Sequence, residues 1–275
     1  MAVFTTIARY WRVIGIGLGF VFFGLGAVLL GNIWMLILRL VYRDQRQRRL
    51  RSQQSVSFCF KLFVNGLKYF RVIDYQIDGA EVLQQDRGCL IVANHPTLLD
   101  YVLIGSILPE MDCVVKESLF HNPFCKMVVR NAGYIANTAD PQPLFEACKL
   151  RLSQGGKMLI FPEGTRSSLD AIYGAAPLKL QRGAANLAVR CGVPLRIVHI
   201  SCRPLILNKS MKWYQLTDKK AFFYLKVQHL EPVEPYLNPD IPPSRAVREL
   251  NAKLTELLQP TTDVVHFAEN HLCKH

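Results

Sequence analysis

An imidazole and a carboxylate stand five positions apart in Asn94-His95-Pro96-Thr97-Leu98-Leu99-Asp100, directly after the apolar run 89–93. Inside one helix such a pair points roughly 140° apart, at about 100° per residue, and could not cooperate. Pro96 changes this, because it biases His95 away from the α region while its own fixed φ suits a first helical position. The expectation is an imidazole in a strand-to-helix corner, with Asp100 one turn along and reaching back to one ring nitrogen. The other nitrogen is then left free to act as a base. Taken alone, the pattern also fits a histidine at a helix start and an aspartate in its first turns.

A second group, Phe161-Pro162-Glu163-Gly164-Thr165-Arg166-Ser167, follows another apolar run and so leaves the same kind of sheet edge. A glycine-containing turn ending in Thr and Arg offers backbone N–H groups, a hydroxyl and a planar guanidinium, a donor set suited to phosphate. Alone it also fits a solvated turn carrying an ion pair between Glu163 and Arg166. The chain has no G-x-S-x-G elbow, no P-loop, no H-E-x-x-H and no complete G-x-G-x-x-G. A serine hydrolase, a P-loop enzyme and a zinc protease lose their support. The eight cysteines form no C-x-x-C pair and no cluster with histidine, which fits reduced thiols in a cytosolic domain and implies no metal. His199, in an apolar run, reads as a satisfied core or surface histidine and not as a ligand.

In this order, the H-x4-D group and F-P-E-G-T-R resemble the glycerolipid acyltransferase superfamily, the 1-acylglycerol-3-phosphate O-acyltransferase-like proteins. Val115-Lys116-Glu117-Ser118-Leu119, Asn122-Pro123-Phe124 and Ala132-Gly133-Tyr134-Ile135 are similar to the family's second block. Gln181-Arg182-Gly183-Ala184-Ala185 and Val193-Pro194-Leu195 are similar to its later blocks. The resemblance covers residues 72 to about 231. It implies acyl transfer from a thioester donor, acyl carrier protein or coenzyme A, to the hydroxyl of a lysophospholipid, 1-acylglycerol-3-phosphate foremost. His95 would be the base and Asp100 its orienting partner. Glu163, Gly164, Thr165 and Arg166 would bind the acceptor, with Lys116 a further phosphate contact and Lys179 and Arg182 behind it. No cofactor is implied. Two departures bear on the acceptor: no Arg closes the second block after Gly133, and Ile197 stands where the last block has a second Pro. Residues 113–116, 132–137 and 182–186 also resemble a bacterial subgroup associated with aryl-polyene lipid synthesis, so another lipid acceptor stays open, as does a non-catalytic lipid-binding module.

The elements that must position these residues alternate along the chain. Strands are expected at 72–77, 89–93, 113–115, 134–136, 157–161, 195–201 and 222–230, and helices at 97–108, 118–131, 141–153, 177–191 and 244–258. Asp140 reads as an N-cap with Pro141 at the first helical position, and Gly192 as a residue just past a helix end. Such alternation argues for an α/β domain over 72–260, with a mostly parallel central sheet flanked by helices and ligands at the carboxyl ends of its strands. Residues 261–275 are read as a tail.

Residues 13–38 carry no formal charge and only one distinctly polar side chain, Asn32. As a helix they would extend roughly 39 Å at about 1.5 Å per residue, more than the ~30 Å hydrocarbon core of a bilayer. Six Arg follow this stretch where a signal peptide would have small residues, so residues 1–56 are read as a retained membrane anchor with its Arg cluster. The Gly15/Gly19 pair and a break at Gly24-Leu25-Gly26 leave two forms open: one tilted span, or two half-length helices dipping into one leaflet. Two Arg before the stretch and six after it put the downstream domain on the cytoplasmic face, and the bacterial resemblance makes the membrane the inner one. Residues 57–71 read as an amphipathic helix, with Ser57, Lys61, Asn65, Lys68 and Arg71 on a narrow polar stripe. It would lie on the bilayer or cap the core. The net charge of +12 owes +7 to the eight Arg and one Asp of residues 1–56. That placement favours membrane lipids and an acidic carrier as partners over nucleic acid.

Overall fold

A computed structural model describes residues 2–259 apart from 124, 139, 216 and 218. The expected tail at 261–275, with Cys273, lies outside the described residues. The chain opens with helix α1, Ala2–Leu29, which passes through one π-helical turn at Leu30–Trp34 into α2, Met35–Val41. A tight turn then reverses it into α3, Gln45–Tyr69. Asp44 caps α3 by accepting the Gln47 N–H at 2.7 Å, an N-cap bond of the usual kind. The rest follows as β1 Ile73–Asp78, α4 Ala80–Gln85, β2 Cys89–Ala93, α5 Asp100–Ile107 and β3 Asp112–Lys116. Next come α6 Lys126–Asn131, β4 Ile135–Asn137, α7 Pro141–Ser153, β5 Lys157–Ile160 and α8 Leu169–Ile172. The chain continues with α9 Gly183–Cys191, β6 Leu195–Arg203, β7 Ala221–Glu231 and α10 Pro243–Leu258.

The seven strands form one sheet in the order β1-β7-β6-β2-β5-β3-β4. All pairings are parallel except β6 with β7, so the expected mostly parallel α/β sheet is present. β2, at the centre, is buried along its whole length. Cys89, Ile91 and Ala93 face a core with α3 and α5, while Leu90 and Val92 face a second core with α7, α9 and α10. A strand buried on both faces reads as a continuous apolar run, which is why 89–93 stood out.

Three helices are shorter than their patterns. The window 118–131 divides into a 3₁₀ turn, Glu117–Phe120, and α6, because Pro123 cannot donate within a continuous helix. The window 177–191 begins its helix only at Gly183. The Gln181 N–H is drawn instead to the Pro162 carbonyl at 2.7 Å, so 177–182 forms a strap over the turn after β5. The third, α5, begins at Asp100 rather than at Pro96. At α7 and α9 the end signals act as read: Asp140 accepts the Gln142 N–H, and Gly192 adopts φ 62°.

The N-terminal hairpin lies along the domain instead of standing away from it. Helix α1 continues through Gly24 and Gly26 without a break. Its Gly15/Gly19 face packs inward, with room for only a hydrogen against Val72 and Leu67. Near one end Arg12 Nη2 donates to the Thr217 carbonyl at 3.2 Å. Near the other, Asn131 Nδ2 donates to the Met35 carbonyl at 2.9 Å. Helix α3 runs unbroken across residue 56, carrying the Arg cluster in its first turns, and does both things its pattern allowed. Val56, Val64 and Leu67 cap the core, while Phe58 and Leu62 stay exposed. Ser57 belongs to the buried face, not to the polar stripe.

α3 and α5 meet where a Cβ on Gly105 would come within 2.8 Å of the Phe60 ring. Gly105→Val should therefore destabilise the protein by about 1–3 kcal/mol through overpacking, read as a lower unfolding temperature in detergent.

Candidate active site

β2 and β5 are neighbours, with Leu90 beside Met158 and Val92 beside Ile160. The chain leaves β2 through α5 on one face of the sheet and leaves β5 through α9 on the other. The turns that leave the two strands meet at their carboxyl ends, where open α/β sheets bind ligands, and the His95 side chain there is 19% exposed. Both sequence groups emerge there.

On the β2 side, Asn94 ties the strand exit to β6, donating from Nδ2 to the Ile200 carbonyl at 2.8 Å and accepting the Ile200 N–H at 2.7 Å. His95 Nδ1 lies 2.9 Å from Asp100 Oδ2. The contact is made by a turn at 97–99 and not by a helix running from Pro96. The Thr97 N–H donates to Asp100 Oδ2 at 2.7 Å, its hydroxyl donates to Oδ1 at 2.5 Å, and the Leu99 N–H donates to Thr97 Oγ1 at 3.2 Å. The turn makes the carboxylate half of a capping box ahead of α5, with the Thr97 hydroxyl taking the Leu99 N–H instead of the one three residues on. It uses a carboxylate three residues after its Thr, and it turns that carboxylate toward the imidazole. Asp100 has no exposed surface. Burial raises its pKa against the lowering influence of His95 and Thr97.

On the β5 side, Phe161 stacks its ring on the His95 imidazole, centroids 4.1 Å apart and planes 19° apart. Glu163 Oε1 accepts the His95 backbone N–H at 3.0 Å and the Ser167 hydroxyl at 2.6 Å. The Ser167 N–H returns to the His95 carbonyl at 2.8 Å. Burial raises the Glu163 pKa as well, opposed by the Ser167 and His95 hydrogen bonds. The ion pair that a bare surface turn would form between Glu163 and Arg166 is replaced: Arg166 Nη1 donates to the Leu207 carbonyl at 2.8 Å. Gly164 takes φ 68°, a left-handed conformation that glycine adopts without a Cβ clash, and Thr165 beside it is exposed.

The structure thus joins His95, Asp100 and Glu163 directly, with Gly164, Thr165 and Arg166 in the same turn. Lys116 ends β3 on the same edge of the sheet, exposed, with β5 between its strand and β2. Lys179 and Arg182 are exposed on the strap. His199 is a core histidine whose Nε2 meets the Leu257 carbonyl at 2.5 Å. Among the described residues no group of His, Cys, Asp and Glu is placed to hold a metal.

Sequence reasoning missed a third contributor, the connection after β6. Asn208, 2% exposed, donates from Nδ2 to the Pro96 carbonyl at 2.8 Å and the Ser167 carbonyl at 3.1 Å. Leu207 sits in the left-handed region, φ 54°, at a cost of roughly 1–2 kcal/mol for a residue with a Cβ. Its carbonyl accepts both the Leu98 N–H and Arg166 Nη1.

Next to Asp100, Tyr101 and Val102 open onto an apolar cavity of about 810 Å³ that runs between α1 and α3, past Gly19 and Phe63, toward Val129.

Residues 74–201 match the family model described as Acyltransferase. The chain is 27% identical over 167 residues to 1-acyl-sn-glycerol-3-phosphate acyltransferase beta of Homo sapiens, covering 58% of this chain and 55% of that one, about half the relative's length. It is 26% identical over 241 residues to the alpha enzyme of Homo sapiens, covering 84% and 80%. The crystal structure of the 1-acyl-sn-glycerophosphate (LPA) acyltransferase PlsC from Thermotoga maritima shares the fold, with TM-score 0.66 over 94% of this chain and 98% of that one at 21% identity.

Glu163→Gln keeps an acceptor for the His95 N–H and the Ser167 hydroxyl, whereas Glu163→Ala leaves both donors unpaired at a cost of about 1–3 kcal/mol. Because burial raises the Glu163 pKa, the folded protein holds that proton more tightly than the unfolded chain. The stability contributed by Glu163 is therefore full at low pH and is lost as pH rises above the ordinary Glu value of about 4.3. Glutamine does not titrate, so the Gln variant should gain on wild type as pH rises from about 4 to about 7. Thermal unfolding at the two pH values checks the sign.

Proposed function

We propose that this chain, an acyltransferase-family protein whose family domain spans residues 74–201, moves an acyl chain from a thioester donor to the hydroxyl of a lysophospholipid, 1-acylglycerol-3-phosphate foremost. The observation that carries the reading is the His95 Nδ1 to buried Asp100 contact at 2.9 Å, set where the turns after β2 and β5 meet. With Asp100 ionised, Nδ1 keeps its proton and donates it to Oδ2, and Nε2 is the free base. Nε2 takes the hydroxyl proton as the oxygen attacks the thioester carbonyl. The tetrahedral adduct then collapses, its C–S bond breaks, and the departing thiolate receives that proton from the imidazolium. No acyl-enzyme is needed, because the thiolate is already a good leaving group.

Arg166 is the proposed phosphate contact. Its Nη1 is anchored on Leu207, which leaves the rest of a five-donor fork for the acceptor. Thr165 and the glycine turn add donors beside it, and Lys116 adds a cation at the edge of the sheet. Glu163 shapes the turn through its bonds to His95 and Ser167 and moves no proton. The apolar cavity beside Asp100 supplies room for a hydrocarbon chain.

The N-terminal hairpin holds this site at a membrane. Thr6–Val41 is one apolar helical stretch of 36 residues, 6% of its most apolar window buried. Its uncharged part, residues 13–38, is roughly 39 Å long at about 1.5 Å per residue, more than the ~30 Å hydrocarbon core it would cross. Both of its ends are bonded to the domain, through Thr217 and Asn131. The two half-length helices open in the sequence are not formed, since α1 is unbroken through Gly24 and Gly26, and the contacts at both ends support a single long helix attached along one leaflet on the cytoplasmic side, with a soluble acyl carrier protein or coenzyme A thioester arriving from the cytosol.

The test is an acyl-transfer assay on membranes holding the protein, offering both thioester donors against a panel of lysophospholipids and non-phosphorylated lipids. His95→Ala should lose about 10²–10⁴-fold or more in turnover while its unfolding temperature holds. Transfer indifferent to His95→Ala would remove the mechanism. Transfer restricted to acceptors without phosphate would keep His95 and remove the role of Arg166.

One-leaflet attachment has its own readout. Epitopes placed at the N-terminus and in the turn at 42–44 should both be reached by antibody from the side that exposes the domain. An upright span would put them on opposite sides.

A further inference from the structure

The connection from β6 to β7 begins buried and ends exposed. Residues 205–208 are in the core, and Asn208 and Leu207 hold the two catalytic turns. Residues 209–215 are largely open to solvent, among them Lys209 and Lys212, with Trp213 47% and Tyr214 45% exposed. Both aromatics keep nearly half of their surface in solvent on this turn. Their rings meet edge to face, centroids 5.7 Å apart, and Lys212 Nζ sits 5.7 Å from the Tyr214 centroid.

The surroundings of Trp213 identify what covers this tip. Its ring lies on α1, edge to face with Phe20 at 6.3 Å and against Gly17, where a Cβ would stand 3.4 Å from it. On either side of these residues α1 presents Ile14, Leu18, Val21 and Phe22 to solvent. The aromatic pair therefore continues the apolar face of the hairpin, and the lysines border it. An indole and a phenol joined to an apolar surface, with ammonium groups at the rim, match the headgroup level of a bilayer: aromatic rings take the interface and lysines reach anionic phosphates.

We propose that residues 209–214 form a contact surface for anionic lipid headgroups, so that the membrane sets the position of the loop that clamps the His95 and Arg166 turns. The proposal rests on the membrane attachment of the hairpin and adds a second point of contact from the opposite side of the sequence. Arg12 and Thr217 fix the base of the tip to α1, which makes hairpin and tip one surface. An acidic carrier protein could also meet two lysines. The aromatic pair and its continuity with α1 favour lipid.

The test uses the full chain with Trp11→Phe and Trp34→Phe, which leaves Trp213 as the one tryptophan, reconstituted in phosphatidylcholine vesicles with and without phosphatidylglycerol. Lipids brominated near the headgroup should quench Trp213 emission, and aqueous iodide should not. Lys209→Gln/Lys212→Gln should weaken the dependence on phosphatidylglycerol by about fivefold per lysine, the attraction of one cation to an anionic surface. Iodide quenching with no effect of bromolipid, in protein that still floats with the vesicles, overturns the proposal and leaves the hairpin attachment standing. Protein that does not float at all removes the attachment itself. A lysine variant with unchanged quenching but a raised KM for acyl carrier protein in detergent overturns the proposal in favour of carrier docking.

Discussion

A carboxylate withdrawn wholly from water must be met by donors, and Asp100 is met by three: the Thr97 N–H, the Thr97 hydroxyl and His95 Nδ1. Leaving one unmade would cost the full desolvation of a charged group, several times the net worth of an ordinary hydrogen bond. The carboxylate is therefore a rigid point, and the imidazole inherits its position. Much of the remaining structure serves that point. β2 and β5 must end side by side, so that Phe161 can stack on the ring and Glu163 can take the His95 N–H. Their connections must leave on opposite faces, so that the ring stays reachable. The loop after β6 must then brace both exits through Asn208.

How much of this could be read from the residues follows from the range of each interaction. The His95–Asp100 contact spans five positions, and Pro96 and Thr97 between them dictate the turn, so it was visible locally, although the turn comes from the carboxylate half of a capping box ahead of α5 and not from a helix begun at Pro96. The seven strands were visible because apolar runs bounded by turn residues are short-range signals. Helix limits failed where a distant partner took a backbone group, as when Pro162 took the Gln181 N–H. Asn208 carries no signal at all in the linear chain. It lies 112 positions from Pro96 and 41 from Ser167, and a polar residue in a connection looks like solvent-facing loop until the fold buries it.

The hairpin follows the same logic. A G-x-x-x-G pair in an apolar helix is commonly a face for another helix, and here Gly15 and Gly19 let α1 lie close on Val72 and Leu67 of its own domain. The small residues are spent internally, so the surface left over is the large apolar one, from Ile14 to Phe22 and on to Leu40. Exposed apolar area of that extent marks a membrane or partner contact in a stable protein. The Arg cluster sits at the far end of the hairpin, in the first turns of α3, and the lysines of the β6–β7 connection sit beside its near end, so cationic groups bracket the apolar face at both limits.

The charges of the site then acquire a direction. Two buried carboxylates meet His95, Asp100 at ring Nδ1 and Glu163 at the backbone N–H, and burial raises the pKa of each. In the proposed reaction the imidazole takes a proton from an attacking hydroxyl, and the new positive charge would be held against them by an attraction that a medium of low dielectric makes larger than it would be in water. The same pair would repel an anionic acceptor and the oxyanion formed on the thioester. The geometry separates these demands. The carboxylates spend their lone pairs on His95, Thr97 and Ser167, while Arg166 is anchored on the Leu207 carbonyl and forms no ion pair with a carboxylate among the described residues. A Glu163–Arg166 ion pair would have neutralised both groups and left neither for the reaction. The Leu207 carbonyl gives Arg166 an acceptor other than Glu163.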